Sequence, residues 1–278
     1  MIVLAALAAA AQIHVVAAEN VWGSIAAQLG GSRVQVTSVV TNPAADPHDY
    51  EPTSFDARAF AGAQMIVVNG VGYDSWASRL IAANPVKGRV VLDVGDLVRI
   101  GNGGNPHRWY SPVDVHQVAA AITRDYIALD RKDAAYFRAR ARSFTTKALA
   151  EYEHLVATIE RRFGGTPVGA SESIFAPLAQ ALGLKLTTPS TFLDAISEGA
   201  EPTARDKATI DRQISERAIR LWVFNSQNST PDVARLTAEA RAKHIPVVSI
   251  TETLSPANAT FEQWQVRQLK ALLRALAR

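Results

Sequence analysis

The 278-residue chain contains no cysteine, only two methionines and no run of five or more basic residues. Without a thiol there is no disulfide, no thiolate metal site, no iron–sulfur cluster and no cysteine nucleophile, and no lipid anchor on a cysteine is expected. Lys and Arg number 29 against 26 Asp and Glu, and the resulting net charge of +3 is too small for a dedicated nucleic-acid binder. Trp76, Trp109, Trp222 and Trp264 are dispersed, so no base-stacking platform is expected. No GxGxxG, Walker A, GxSxG or HExxH motif occurs, which leaves nucleotide, hydrolase and zincin readings without their markers. No apolar run reaches the roughly 20 residues that a membrane span requires.

What remains is a chain that can fold. Hydrophobic residues make up 48% and charged residues 20%, enough to bury a substantial core. The length fits one large α/β domain or two lobes. Residues 2–11, IVLAALAAAA, have the length of a signal-peptide hydrophobic region, with small-residue cleavage candidates around Ala9 to Ala11. Residues 1–11 are therefore expected to be a signal-peptide remnant, and the protein to work in the periplasm or outside the cell. A buried first strand with an Ala-rich lead-in is the alternative.

Short apolar, β-branched runs recur at residues 12–18, 34–40, 64–69 and 89–94, with helical stretches such as residues 21–29 between them. The grammar repeats at 167–170, 183–187, 220–225 and 245–250, with helices expected at 174–182 and 230–243. Nearly all-apolar strands alternating with helices predict parallel sheets covered on both faces. The expected fold is α/β, with two βα lobes (residues 12–131 and 164–278), each holding a mainly parallel four-stranded sheet. Residues 132–163 contain no Gly or Pro. Phe137, Phe144, Ala148, Tyr152, Leu155, Ile159 and Phe163 form one stripe there, which predicts a single rigid linking helix roughly 48 Å long. Two helices broken near Thr145 and Thr146, a β-branched pair, are the alternative.

In open parallel α/β sheets, ligands sit at the carboxyl ends of the strands. The loops there contain His48, His107, Glu172 and Glu252. His48 and His107 share a frame: each follows a proline and each is followed by an aromatic and then another proline. Such a frame holds a loop side chain still, as a metal ligand requires. The four lie 59, 65 and 80 residues apart, which matches no zinc-finger spacing. Each also has an ordinary explanation: surface-loop histidines, a carboxylate at a helix start for Glu172, a turn anchor for Glu252. His14, His116, His154 and His244 look structural, His244 through its place at a helix end.

The motifs DPHDYEP at 46–52 and NPHRWYSP at 105–112 resemble the two histidine motifs of the cluster A-I metal-binding solute-binding proteins of ABC transporters. SESIFAPLAQALGLKL at 171–186 and PVVSITETLSP at 246–256 are similar to further stretches of that family, and the likeness runs from about residue 13 to the C-terminus. The resemblance implies two lobes joined by one long helix, with a metal ion between them. It implies His48, His107, Glu172 and Glu252 as ligands, and one divalent ion, Zn²⁺ or Mn²⁺ with Fe²⁺ left open, as cargo. It also implies an ABC permease as partner and a monomer without enzymatic activity. Two departures lean away from zinc-selective members: a carboxylate occupies the third ligand place, and the His-rich loop is missing. Asp49, Asn225, Ser226 and Tyr110 are candidate supporting residues. The competing expectations are a metal-dependent hydrolase using the same His/Glu site and a two-lobed binder of an organic solute.

Overall fold

The computed structural model describes residues 12–43 and 50–278. The expected leader at 1–11 and the loop carrying His48 and Asp49 lie outside the described residues. In the first lobe, β1 (Ile13–Glu19), α1 (Asn20–Gly30), β2 (Val34–Val40), α2 (Ser54–Gly62), β3 (Met65–Val68), α3 (Ser75–Ala83), β4 (Val90–Asp93) and α4 (Val94–Val98) follow one another. The strands form one parallel sheet in the order β2-β1-β3-β4. The period of two along each strand divides the core. Val15, Ala17, Met65 and Val67 face the side covered by α1, whereas Val16, Ala18, Ile66 and Val68 face Phe60, Trp76 and Ala77 of α2 and α3. Burial on both faces explains why these strands read as unbroken apolar runs.

After α5 (Pro112–Leu129), started by the Ser111 hydroxyl and a proline in its first turn, the chain runs through α6 (Ala134–Ser143) and α7 (Ala150–Phe163). The second lobe contains β5 (Pro167–Ala170), α8 (Ala176–Ala181), β6 (Lys185–Leu186), α9 (Ser190–Ser197), α10 (Ala204–Ser215), β7 (Trp222–Asn225), α11 (Pro231–Ala242), β8 (Val247–Ile250) and α12 (Phe261–Leu276). Its parallel order, β6-β5-β7-β8, matches that of the first sheet. The stretch expected as strand at 183–187 shortens to β6, because Gly183, at φ +62°, is still turning the chain out of α8.

The linking segment is helical but not uniformly so. Residues 131–133 form a 3₁₀ turn rather than α-helix, with the Asp130 carboxylate accepting from the Lys132 N–H at 3.0 Å. A π turn then spans Phe144–Ala148 between α6 and α7. The apolar stripe accounts for it. Phe137 to Phe163 covers 26 residues in seven turns, about 0.8 residue more than seven ordinary turns hold. One π turn inserts that surplus and keeps Phe137, Phe144, Tyr152, Leu155 and Ile159 all buried. The Thr145 and Thr146 hydroxyls bond back to the Ala141 and Arg142 carbonyls at 3.1 and 2.8 Å, which locates the irregularity at the β-branched pair.

One core cluster runs through both lobes. α12 carries it across: the Phe261 N–H donates to the Ser24 hydroxyl of α1 at 2.9 Å, and Gln28 donates to Glu262 at 2.9 Å. The Gln265 amide donates to the Trp109 carbonyl at 3.0 Å, and the Tyr110 ring packs on Trp264 with centroids 5.4 Å apart. Phe261 continues the row to Tyr152 on α7, at 6.1 Å.

Candidate metal centre

The carboxyl ends of the second sheet bring three polar side chains together. Glu172 stands two residues beyond β5, Asn225 ends β7, and Glu252 stands two residues beyond β8. The Asn225 amide nitrogen donates to Glu172 Oε2 at 2.9 Å and to Glu252 Oε1 at 2.7 Å, holding the two carboxylates side by side. Its own carbonyl oxygen accepts from the Gln227 N–H at 3.0 Å, which fixes the amide orientation. The Gln227 side-chain oxygen in turn accepts from the backbone N–H groups of Glu252 and Thr253 at 2.7 and 3.0 Å.

His107 comes from the first lobe, just before a 3₁₀ turn over Arg108–Tyr110. Asn105 Oδ1 lies 3.0 Å from its ring Nδ1 and accepts from its backbone N–H at 2.9 Å. An acceptor at Nδ1 places the proton there, so the lone pair is on Nε2. Nε2 lies 3.7 Å from Glu172 Oε1 and 3.6 Å from Glu252 Oε2. The Asn105 amide reaches across the lobes to the Ser173 carbonyl at 2.6 Å. Behind the ring, Trp109 and Tyr73 present their edges at centroid distances of 5.5 and 6.1 Å. Asn69 donates to the carbonyl of Pro106 at 2.8 Å, anchoring the proline ahead of His107.

Tyr73 is the first lobe's second contribution: its hydroxyl donates to Glu252 Oε2 at 2.5 Å. A tight turn after β3 delivers it. Gly70 there has φ +70°, and a Cβ at that position would collide with the Asp93 carboxylate.

His107, Glu172 and Glu252 are thus wholly buried, and one ligand atom of each lies within 4.8 Å of the others. Two carboxylates removed from water demand compensation by positive charge. Two ligand atoms 3.6–3.7 Å apart, as His107 Nε2 is from one oxygen of each carboxylate, match a tetrahedral angle at an ion with bonds of about 2.2 Å. The donor set fits a divalent transition metal.

The strand-end rule therefore brings together His107, Glu172 and Glu252. His48 and Asp49 lie outside the described residues, but Tyr50 beyond them is held by Asp56, which accepts from its hydroxyl at 2.8 Å, and by the Trp76 ring at 5.1 Å. Asn225 touches both carboxylates as expected. The Tyr110 N–H donates to the His107 carbonyl at 3.2 Å, while its hydroxyl lies 2.8 Å from both the Thr251 carbonyl and the Gln268 side-chain oxygen, and burial raises its pKa well above the ordinary value. Ser226 bonds to the Ile250 carbonyl instead. Tyr73, Gln227 and Asn105 were missed. Tyr73 and Gln227 follow β3 and β7, so the same rule applied to every strand would have found them.

A buried two-carboxylate, one-imidazole cluster at the join of two parallel α/β lobes defines a two-lobed metal-binding protein. The chain belongs to the ZnuA family, described as zinc-uptake complex component A, periplasmic, which it matches over residues 15–275. It is 23% identical over 239 residues to the manganese ABC transporter substrate-binding lipoprotein PsaA of Streptococcus pneumoniae, covering 79% of this chain and 74% of that one. It is 22% identical over 228 residues to the high-affinity zinc uptake system protein ZnuA of Bacillus subtilis, covering 76% and 70%. A solved periplasmic metal binding protein from Candidatus Liberibacter asiaticus shares the fold, with a TM-score of 0.78 at 22% identity over 95% of this chain and 99% of that one. A metal-dependent hydrolase finds no support among these matches.

Proposed function

We propose that the protein captures one divalent transition metal, Zn²⁺ or Mn²⁺, between its lobes outside the cytoplasm and delivers it to an ABC permease for uptake. The observation that supports this most is the convergence of His107 Nε2 with oxygens of Glu172 and Glu252 in a buried cluster. His48 is the fourth ligand in this reading. Residues 12–131 and 164–278 act as the two jaws and residues 132–163 as the strut between them. The protein works as a monomer, without nucleic acid.

Four protein ligands close the coordination shell, so no bound water is activated and no reaction is catalysed. The division of labour follows from the contacts. The second lobe supplies the negative charge, set at a fixed separation by Asn225. The first lobe supplies a neutral imidazole whose tautomer is held by Asn105. Two carboxylates and two imidazoles suit tetrahedral Zn²⁺, and a bidentate carboxylate suits higher-coordinate Mn²⁺. Affinity generally rises from Mn²⁺ to Zn²⁺, so zinc occupancy after purification does not identify the cargo. Metal-competition titrations, with elemental analysis of protein taken from its native compartment, test the assignment. Because an imidazole binds metal only when neutral, affinity falls as pH drops below about 6.5. Equal affinity at pH 7.5 and 5.5 would exclude histidine ligation.

A further inference from the structure

At the opposite end of the second sheet, where its strands begin, lies a cavity of about 560 Å³. Arg217, Arg220, Arg241, Arg278 and His244 line it, together with apolar residues such as Ile245. No carboxylate side chain is among the lining residues. Four guanidinium charges in one cavity exceed the +3 net charge of the entire chain. Some cations elsewhere have a carboxylate partner: Arg108 with Asp114, Lys207 with Glu201 and Asp232, Arg235 with Asp211. Among the described residues, none of the five cavity side chains takes part in a salt bridge.

The cations converge from separate elements. Arg241 closes the last turn of α11, His244 follows it, Arg217 follows α10, Arg220 precedes β7 and Arg278 follows α12. Arg217 and His244 have φ of +55° and +57°, the left-handed region that helix ends usually reserve for glycine. The sequence keeps a cationic or imidazole side chain at both, and both line the same cavity. Helix C-termini favour nearby cations, which accounts for a basic residue in a last turn. It does not by itself account for four arginines and a histidine, all reached by solvent, gathered around one cavity, where their mutual repulsion is screened by water and further relieved by an anion.

We propose that this cavity is an oxyanion site for a phosphate-class group, whose oxygens the arginine forks bind in pairs while the apolar floor accepts its organic body. A free phosphorylated solute and the phosphate of a lipid headgroup offer the same chemistry. The cavity lies at the opposite ends of the strands from the metal cluster, so both sites are open to occupation at once.

The test uses the full chain and two probes: inorganic pyrophosphate in calorimetric titration, and vesicles of phosphatidylglycerol against phosphatidylcholine in flotation. The variants are Arg220→Gln/Arg241→Gln in the cavity and Arg138→Gln/Arg142→Gln on α6, which removes equal charge elsewhere. Saturable pyrophosphate binding, weakened tenfold or more in the cavity variant and unchanged in the α6 variant, supports a free solute. Selective binding to phosphatidylglycerol, lost in the cavity variant alone, supports the headgroup. Arg241→Lys keeps the charge at the helix end but loses the fork, so it should weaken binding without moving the melting temperature, even if the double variant does not fold. No binding of either probe, or equal losses in the cavity and α6 variants, would overturn the proposal.

Discussion

Asn105 makes two contacts that a single substitution separates. Its side-chain oxygen accepts from His107, and its amide donates to the Ser173 carbonyl in the other lobe. Asn105→Ala removes both. Loss of a hydrogen-bond partner behind a metal-binding histidine typically lowers metal affinity by about 10–100-fold, or roughly 1.4–2.7 kcal/mol. The ring is then free to change tautomer and to turn Nε2 away from Glu172 and Glu252. Asn105→Asp keeps the acceptor for Nδ1 and loses only the donor to Ser173. It therefore retains more metal affinity than the alanine variant, at the expense of apo-protein stability by about 0.5–1.5 kcal/mol for the lost interlobe bond. The assay is competition against a chelator of known affinity at pH 7.5, with thermal melts of the metal-free proteins alongside. An alanine variant within twofold of the parent would refute the orienting role. So would an aspartate variant weaker than alanine.

Glu172→Ala should weaken metal binding sharply in the same titration, whereas His154→Ala, an exposed position on α7, should leave it unchanged; equal effects would contradict the cluster. Glu19 is buried beside Asp74, which accepts from the Asn69 and Gly70 N–H groups at 2.6 and 2.9 Å. Burial, and then the neighbouring Asp74 charge, raise the Glu19 pKa well above its ordinary 4.5, which favours the protonated acid in the folded protein. A raised folded-state pKa means that full stability is present below about 4.5 and is lost as pH rises toward the raised value. Glu19→Gln mimics the protonated acid, so its melting temperature should match the parent near pH 4 and exceed it increasingly above pH 5; parallel pH profiles would refute the reasoning. Metal at 100 times its Kd should stabilise the folded protein by about 2.7 kcal/mol, a rise of several degrees in melting temperature by calorimetry.

Much of the architecture was legible because buried parallel strands leave little freedom. β3 is apolar on both faces, β5 and β1 nearly so apart from His14 and Glu19 in β1, and their positions could be read almost residue by residue. The carboxyl ends of strands are a place where polar side chains can gather without breaking that pattern, which is why His107, Glu172 and Glu252 stood out. Asn105 gave no such signal. Its importance depends on the carbonyl of Ser173, 68 positions along the chain, coming within reach of its amide. The π turn was half legible: the stripe from Phe137 to Phe163 contains the surplus residue, but only arithmetic on the turns reveals it.

The aromatic row from Trp109 and Tyr110 to Trp264 and Phe261 bears on how cargo gets out. All four rings are almost completely shielded from solvent. Each large ring hides about 150–250 Å². Wetting all four would therefore take roughly 20 kcal/mol at about 25 cal/mol per Å², more than the about 5–15 kcal/mol that keeps a typical protein folded. A wide clam-shell gape that stripped α12 from the first sheet's helices would amount to denaturation. Release of a bound ion must therefore leave this row packed.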